Sequence, residues 1–170
     1  IDFLSTPFDP ISALFLNKIN FKSFKIASPS IVDYQLLSQV SKFKKKVLIS
    51  TGMSNKEEIV KALKYFNKKN VTLLYCVSLY PTPYEKIDLN NIKKLKKLFK
   101  TDVGFSDHSL GYELALASIG FGATVIEKHF KLSKNQKCPD SIVSLDPNEF
   151  AEMVSKIRNI EKSLGKGNLS

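Results

Sequence analysis

The 170-residue sequence is poor in cysteine and has no tryptophan. Its two cysteines, Cys76 and Cys138, lie far apart and lack the spacing of a metal site. Cys76 falls in an apolar run, which predicts a buried free thiol and a reducing, cytoplasmic environment. No run approaches the roughly 18 consecutive apolar residues of a membrane span, so no membrane partner is expected.

Arginine is also scarce: Arg158 is the only one, and the net charge of +10 comes from lysine. Nucleic-acid binding would need aromatic residues among the lysine runs to stack on bases, and none is interleaved there. The charge therefore indicates a solvated surface that attracts anionic small molecules modestly. The length suits one domain with its own core.

Short apolar runs alternate with amphipathic segments along the chain. The predicted strands are 3–5, 24–27, 47–50, 71–76, 103–106 and 125–129. The predicted helices are 10–18, 34–41, 56–66, 89–99, 112–120 and 147–164. Ser54 and Asp146 are the expected N-caps of the third and last helices. This alternation predicts the α/β class with a parallel sheet.

Two architectures fit, a doubly wound open sheet and a (β/α)₈ barrel. Polar residues follow each of the six predicted strands, for example Ser5-Thr6, Ser50-Thr51 and Ser106-Asp107-His108. A barrel mouth collects polar groups from every strand, whereas an open sheet concentrates its ligand at one switch point. The pattern favours a TIM barrel.

The only two histidines, His108 and His129, close consecutive predicted strands. Two imidazoles at one barrel mouth suit a divalent transition metal, with water or substrate oxygen completing the shell. The alternative is one exposed loop histidine and one core histidine. Their shared position favours the metal site.

Lys25 is expected to point into the barrel or its mouth. It could form a Schiff base, hold a phosphate or carboxylate, or extend its ammonium past the strand end into solvent. Lys128 competes for the same roles, but it alternates with Glu127 and His129, so only one of the two sets faces inward.

Three further stretches are candidates for binding. Ser50-Thr51-Gly52-Met53 offers hydroxyls and backbone N–H groups to an anion, although such turns also cap helices. The loop 81–84 is either a stiff connector or a wall of the pocket. Asp140 follows the last strand and is a candidate acid or hydrogen-bond acceptor.

Six motifs, in order, resemble the barrel of the N-acetylneuraminate (sialic acid) synthase family, which includes the legionaminate, pseudaminate and spore-coat polysaccharide synthases. They span nearly the whole chain and read FLSTPFD (3–9), KIAS (25–28), STGM (50–53), YPTPYE (80–85), GFSDH (104–108) and IEKHF (126–130). Each is weak alone, but six in order are specific.

The resemblance implies condensation of phosphoenolpyruvate with an N-acetylated sugar, giving a sialic-type (nonulosonic) acid and phosphate. It implies that Mn²⁺ or Mg²⁺ binds His108 and His129, and that the full-length protein is a homodimer. The expected phosphoenolpyruvate site is Thr6, Lys25, Ser28, Ser78 and Ser106. The expected sugar site is Phe8, Tyr80 and Asp140. Ser50 is added as a substrate-binding candidate, and His108, His129 and Lys25 as the catalytic set.

Some positions depart from the family pattern. Ser30 and Tyr75 stand where many members carry an acid and a histidine, and Ser78 where sialic acid synthases carry asparagine. These departures put the identity of the sugar in doubt more than the reaction class.

The resemblance also implies that residues 1–170 are the C-terminal three-quarters of a single synthase barrel. The chain is expected to hold about six β/α units, strands 3–8, without the first two units and without the family's C-terminal antifreeze-like domain. Alone, it is expected to be inactive. The alternatives are a Schiff-base aldolase on a similar barrel and a non-catalytic fragment completed by another chain.

Overall fold

Five parallel strands form the sheet of the computed structural model, which describes residues 3–165. They are β1 (Ser23–Ile26), β2 (Lys46–Ser50), β3 (Val71–Cys76), β4 (Asp102–Asp107) and β5 (Ile126–Lys128). Their spatial order is β1-β2-β3-β4-β5, the same as their order in the chain. A doubly wound sheet reverses its order at the switch point, so this half-barrel is the barrel-type arrangement.

Six α-helices alternate with the strands. They are α1 (Pro10–Lys18), α2 (Tyr34–Ser41), α3 (Lys56–Leu63), α4 (Asn90–Phe99), α5 (Glu113–Gly120) and α6 (Pro147–Ser163). Short 3₁₀ turns cover Ser28–Val32, Lys68–Asn70 and Tyr84–Lys86. The predicted α/β class and parallel sheet are confirmed.

The predicted strand at residues 3–5 does not form, so the expectation of six β/α units is not confirmed. The Lys25 N–H donates to the carbonyl of Ser5 over 3.3 Å, but residues 3–7 and β1 do not form a β-ladder. Phe3 is 78% exposed, so pairing this segment with β1 would add little apolar burial. Within residues 3–165, β1 and β5 do not pair with each other, and the sheet stays open.

The core lies between the sheet and the helices. Alternate strand residues face it and are at most 1% exposed, among them Phe24, Ile26, Ile49, Leu73 and Phe105. Burying each such side chain contributes roughly 1.5–3 kcal/mol. A smaller cluster joins α5 to α6. This packing leaves the other face of each strand free to carry the polar residues.

The strand register aligns the polar residues at one edge of the sheet. Cys76 pairs with Ser106, and Ser106 pairs with Glu127, so the carboxyl ends of β3, β4 and β5 are level. Ser50, at the end of β2, pairs with Leu74. Leu74 lies two residues before Cys76 and therefore faces the same side of the sheet. The edge predicted from the sequence as a barrel mouth therefore exists.

Capping fixes the ends of two helices. The Asp146 side chain accepts hydrogen bonds from the backbone N–H groups of Asn148 and Glu149, and the Asp146 N–H donates to the Glu149 carboxylate. This is the predicted cap of α6. The cap of α3 is Asn55 rather than the predicted Ser54, because the Asn55 side chain and Glu58 make the reciprocal pair. None of the helices in residues 3–165 is long and apolar enough to cross a bilayer.

Candidate active site

A cavity of about 490 Å³ opens at the carboxyl ends of the strands. Eight of the eleven predicted site residues line it: Lys25, Ser28, Ser50, Ser78, Tyr80, Ser106, His108 and His129. They come from β1, β2 and β4 and from the segments that follow the strands. A volume of this size fits a small-molecule ligand.

The other three predicted residues lie outside that cavity. Thr6 and Phe8 line a separate groove beside α1, together with Ile11 and Phe15. Asp140 does not line the cavity either, but its Oδ2 lies 3.9 Å from Nδ1 of His129. The expectation that Thr6 shares a site with Ser28 and Ser106 stays a prediction.

The two histidines are brought together. Their ring centroids are 5.4 Å apart, and the rings meet edge to face. Nδ1 of His108 lies 2.8 Å from the carbonyl oxygen of Val77, which can only accept, so Nδ1 carries the proton of a neutral ring. Nε2 is then left with its lone pair, within 3.1 Å of the Tyr80 hydroxyl and 3.3 Å of Ser106 Oγ.

Burial controls the protonation of this cluster. It lowers the pKa of His108, and the hydrogen bond to Val77 opposes that shift only in part. It also raises the pKa of Tyr80, with nearby acidic groups adding to the effect. At neutral pH the site therefore holds a neutral His108 and a protonated Tyr80.

This donor set fits a divalent metal. A neutral imidazole with a free Nε2 is a metal ligand, and the Nδ1 bond to a backbone carbonyl is the usual support of such a ligand. Among residues 3–165, no group of three or more His, Cys, Asp and Glu side chains is close enough to hold a metal ion. A metal at His108 and His129 would therefore need oxygen ligands from water or substrate.

Glu127 is a site residue that the sequence reasoning did not select. Its Oε1 lies 3.0 Å from Nζ of Lys25, and both residues line the cavity. The sequence did contain a signal for Glu127. Glu127 and His129 are two positions apart on one strand, so they face the same side, and His129 had already been selected as a site residue. Lys25 thus points into the mouth, as predicted, and is paired there.

Lys128 also borders the cavity, but its ammonium is held elsewhere. Nζ lies 3.1 Å from Asp107 Oδ2 and donates to the carbonyl of Ser109 over 2.6 Å, and both charged side chains are fully buried. Burial lowers the pKa of Lys128, and Asp107 opposes this. Asp107 is in turn fixed by the Ser109 N–H and hydroxyl. This pair joins β4 to β5 beside the cavity.

The turn after β2 is bonded to the neighbouring strand ends. The backbone N–H of Gly52 donates to Ser28 Oγ over 3.1 Å, and Ser28 Oγ lies 3.4 Å from the sulfur of Cys76. Thr51 instead donates from both its N–H and its hydroxyl to the carbonyl of Leu74. Of this motif, Ser50 and Met53 line the cavity, and Thr51 fastens the turn.

The loop 81–84 is tied to the histidine cluster. The Thr82 N–H donates to the carbonyl of His108 over 2.9 Å, and the Thr82 hydroxyl donates to the carbonyl of Leu79 over 2.7 Å. These bonds hold the segment that carries Tyr80 against the end of β4. The loop therefore supports Tyr80, which lines the cavity, although none of residues 81–84 lines it.

Comparison with known proteins gives the family. The model of the NeuB family matches residues 1–169 of this chain. The chain belongs to the NeuB family. This agrees with the resemblance carried by the six sequence motifs.

This NeuB-family chain is similar to proteins named legionaminic and pseudaminic acid synthases. It is 44% identical over 172 residues to the N,N'-diacetyllegionaminic acid synthase of Campylobacter jejuni, covering 98% of the chain and 52% of that protein. It is 39% identical over 168 residues to the pseudaminic acid synthase of the same species, covering 97% of the chain and 49% of that protein.

A solved structure shares the fold closely. The N-acetylneuraminic acid synthetase of Leptospira borgpetersenii, crystallised with citrate, superimposes with a TM-score of 0.95 at 35% identity. The match covers 100% of this NeuB-family chain and 60% of that chain. The chain spans about half the length of the curated relatives it matches.

Proposed function

We propose that the protein containing this chain condenses phosphoenolpyruvate with an open-chain N-acetylated aldose and releases phosphate. The observation that carries the proposal is one cavity that holds both a lysine with several hydroxyls and a pair of neighbouring imidazoles. The first set suits an anionic substrate, and the second suits a carbonyl activated by a metal.

The phosphoenolpyruvate end of the cavity is formed by Lys25 and the neighbouring hydroxyls of Ser28, Ser50, Ser78 and Ser106. A compact ammonium and short hydroxyl donors match phosphate and carboxylate oxygens. Glu127 balances the charge of Lys25 in the absence of substrate, so an incoming anion has to share or displace this ion pair. This competition is expected to help product phosphate leave.

The sugar aldehyde is placed at the histidine end. His108 and His129 would hold the divalent ion, Mn²⁺ or Mg²⁺, which when bound supplies Lewis-acid polarisation of a carbonyl oxygen. The Tyr80 hydroxyl, 3.1 Å from His108 Nε2, is positioned to donate a hydrogen bond to the same oxygen. Loop 81–84 keeps Tyr80 in place through its bond to the His108 carbonyl.

The reaction balances with one water. The methylene carbon of phosphoenolpyruvate forms a bond to the aldehyde carbon, water adds to the former enol carbon, and the bond from that carbon to the phosphate oxygen breaks. The water oxygen becomes the keto oxygen of the acid. Its two protons end on the new hydroxyl and on the phosphate.

The Schiff-base aldolase is the less favoured reaction. An imine-forming lysine attacks as a neutral amine, whereas Lys25 is engaged in an ion pair with Glu127 at 3.0 Å. The Schiff-base mechanism also needs no metal, so it does not account for the two neighbouring imidazoles.

Isotope labelling tests the proposed reaction. The natural-length protein should release phosphate from phosphoenolpyruvate in the presence of Mn²⁺ and N-acetylated hexosamines, among them the precursors of legionaminic and pseudaminic acid. Phosphoenolpyruvate labelled with ¹⁸O at its bridging oxygen should pass the label to phosphate. Unlabelled phosphate, or trapping of Lys25 by borohydride, would contradict the proposal.

Two further properties belong to this proposal. The 170-residue chain alone is expected to release no phosphate above background, because its sheet is open at β1 and β5. The natural-length protein is expected to be a homodimer, which its mass in solution would report. If the 170-residue chain turns over with a partner chain added, the non-catalytic-fragment alternative gains support.

A further inference from the structure

A second cavity, of about 590 Å³, lies at the opposite end of the sheet from the candidate active site. It opens at the residues that precede β3 and β4, beside α4. Six lysines line it: Lys68, Lys69, Lys93, Lys96, Lys97 and Lys100. Among residues 3–165, Asp102 is the only acidic residue that lines this cavity, so the cavity has a strong excess of positive charge.

Two separate segments contribute these lysines. Lys68 and Lys69 come from the 3₁₀ turn before β3, whereas the other four come from α4 and the residue after it. On α4, Lys96 and Lys97 follow Lys93 at spacings of three and four, which places these three on one face. Lys100 follows the helix in the left-handed conformation. Like charges at these spacings destabilise a helix, so an anion bound among them would stabilise the protein.

The wall of the cavity carries a buried hydroxyl without a partner. Thr101 is 5% exposed and lines the cavity, yet within residues 3–165 its Oγ1 has no hydrogen-bond partner. A buried hydroxyl left unsatisfied costs about 1–3 kcal/mol. A ligand oxygen at this place would satisfy it. This observation is independent of the lysine charges and also indicates a ligand that accepts hydrogen bonds.

Phe121 forms the apolar part of the wall. The ammonium of Lys93 lies 4.8 Å from the centre of the Phe121 ring. This cation–π contact restrains one of the six lysines at the edge of the cavity. The cluster is thus partly held in place, unlike a lysine run that only extends into solvent.

We propose that this cavity binds a small oligophosphate, a ligand with two or more linked phosphate groups. Six lysines facing one carboxylate require a ligand with several negative charges, and ammonium groups bind phosphate oxygens as point charges. The volume fits a small molecule, and the Thr101 hydroxyl donates to one phosphate oxygen. The phosphate chain can be free or part of a nucleotide. The proposal does not rest on the function proposed for the other end of the sheet.

Calorimetric titration of the natural-length protein in about 0.15 M salt, which screens distant charges, tests the site. The probes are inorganic triphosphate and a nucleoside triphosphate in separate arms. Binding of either supports the proposal, and the better arm identifies the source of the phosphates. Absence of binding in both arms would overturn it.

Matched charge variants separate a site from general attraction to a basic protein. Lys96→Gln/Lys97→Gln should weaken triphosphate binding by roughly tenfold or more, the effect of losing charge-assisted hydrogen bonds. Lys61→Gln/Lys64→Gln removes the same charge from α3 and the residue that follows it, outside this cavity, and should change the affinity little. An equal loss in both variants would show unspecific attraction and overturn the proposal.

Two single variants complete the test. Thr101→Val keeps the shape and removes the hydroxyl, so triphosphate affinity should fall while the ligand-free protein melts at the same or a higher temperature. Unchanged affinity would remove Thr101 from the site and contradict the proposal. Lys25→Met should keep triphosphate binding, since Lys25 lines the other cavity. Loss of triphosphate binding in Lys25→Met would mean that the probe binds at the candidate active site, and it would contradict the proposal.

Discussion

Lys25 and Glu127 join the two ends of an open sheet. Lys25 lies on β1 and Glu127 on β5, at opposite ends of the strand order, yet Nζ and Oε1 are 3.0 Å apart. Inward side chains of the first and last strands therefore meet at the mouth although the strands do not pair. The curvature that brings them together also concentrates the predicted substrate groups in one cavity.

Lys25→Met should weaken phosphoenolpyruvate binding selectively. Loss of a charge-assisted bond of about 1.5–3 kcal/mol raises the KM for phosphoenolpyruvate roughly 10- to 100-fold, and the KM for the sugar far less. Steady-state kinetics of the natural-length protein measure both constants. Lys46→Met, at the exposed start of β2, is the control and should leave both unchanged. A larger rise in the sugar KM would assign Lys25 to another role.

His108→Ala should abolish Mn²⁺-dependent turnover and weaken Mn²⁺ binding. The variant removes the Nε2 lone pair of an imidazole whose ring centre lies 5.4 Å from that of His129. Electron paramagnetic resonance of free Mn²⁺ measures binding without relying on activity, and circular dichroism checks that the fold is kept. Wild-type binding in this variant, or full activity of the native protein after exhaustive chelation, would exclude the metal site.

Lys128→Met should destabilise the fold strongly. It leaves the buried Asp107 carboxylate without its cation, which costs roughly 3–5 kcal/mol of unfolding free energy. Urea denaturation measures the loss. Arg158→Met breaks an exposed pair with Glu161 and should have little effect.

A double variant identifies charge as the cause. Asp107→Asn/Lys128→Met removes the uncompensated carboxylate and should be more stable than Lys128→Met alone. Equal stability of the two would show that lost packing, rather than the buried charge, dominates.

Gly52→Ala should disturb the cavity, because no space exists for a methyl group there. A Cβ at this position would lie 2.6 Å from Ser78 Oγ and 2.7 Å from Cys76 Sγ. We expect a loss of roughly 1–3 kcal/mol in unfolding free energy and a raised KM for phosphoenolpyruvate. Gly120→Ala, at the end of α5 where a Cβ meets nothing within 4 Å, is the control and should be neutral or stabilising. Wild-type kinetics in Gly52→Ala would contradict this geometry.

Local sequence determined most of the secondary structure. The bounds of β3, α1 and α2 were predicted to the residue, because apolar periodicity and the adjacent polar breaks are local signals. The Asp146-Pro147 cap of α6 was equally local. The motif order also gave the family. The first predicted strand failed because strand formation depends on a pairing partner, which local sequence does not show.

Only the tertiary structure decided which polar groups meet. The Lys25–Glu127 and Asp107–Lys128 pairs join residues that are far apart in the chain, and their choice depends on sheet curvature and strand register.

The lysines also show the difference between what the sequence predicts and what the tertiary structure decides. Sequence alone indicated a solvated surface, because each run looks polar by itself. Folding brings the turn before β3 and one face of α4 around the buried hydroxyl of Thr101. Electrostatic and hydrogen-bond energies depend on distance in space, so a linear sequence fixes which charges exist but not which of them act together.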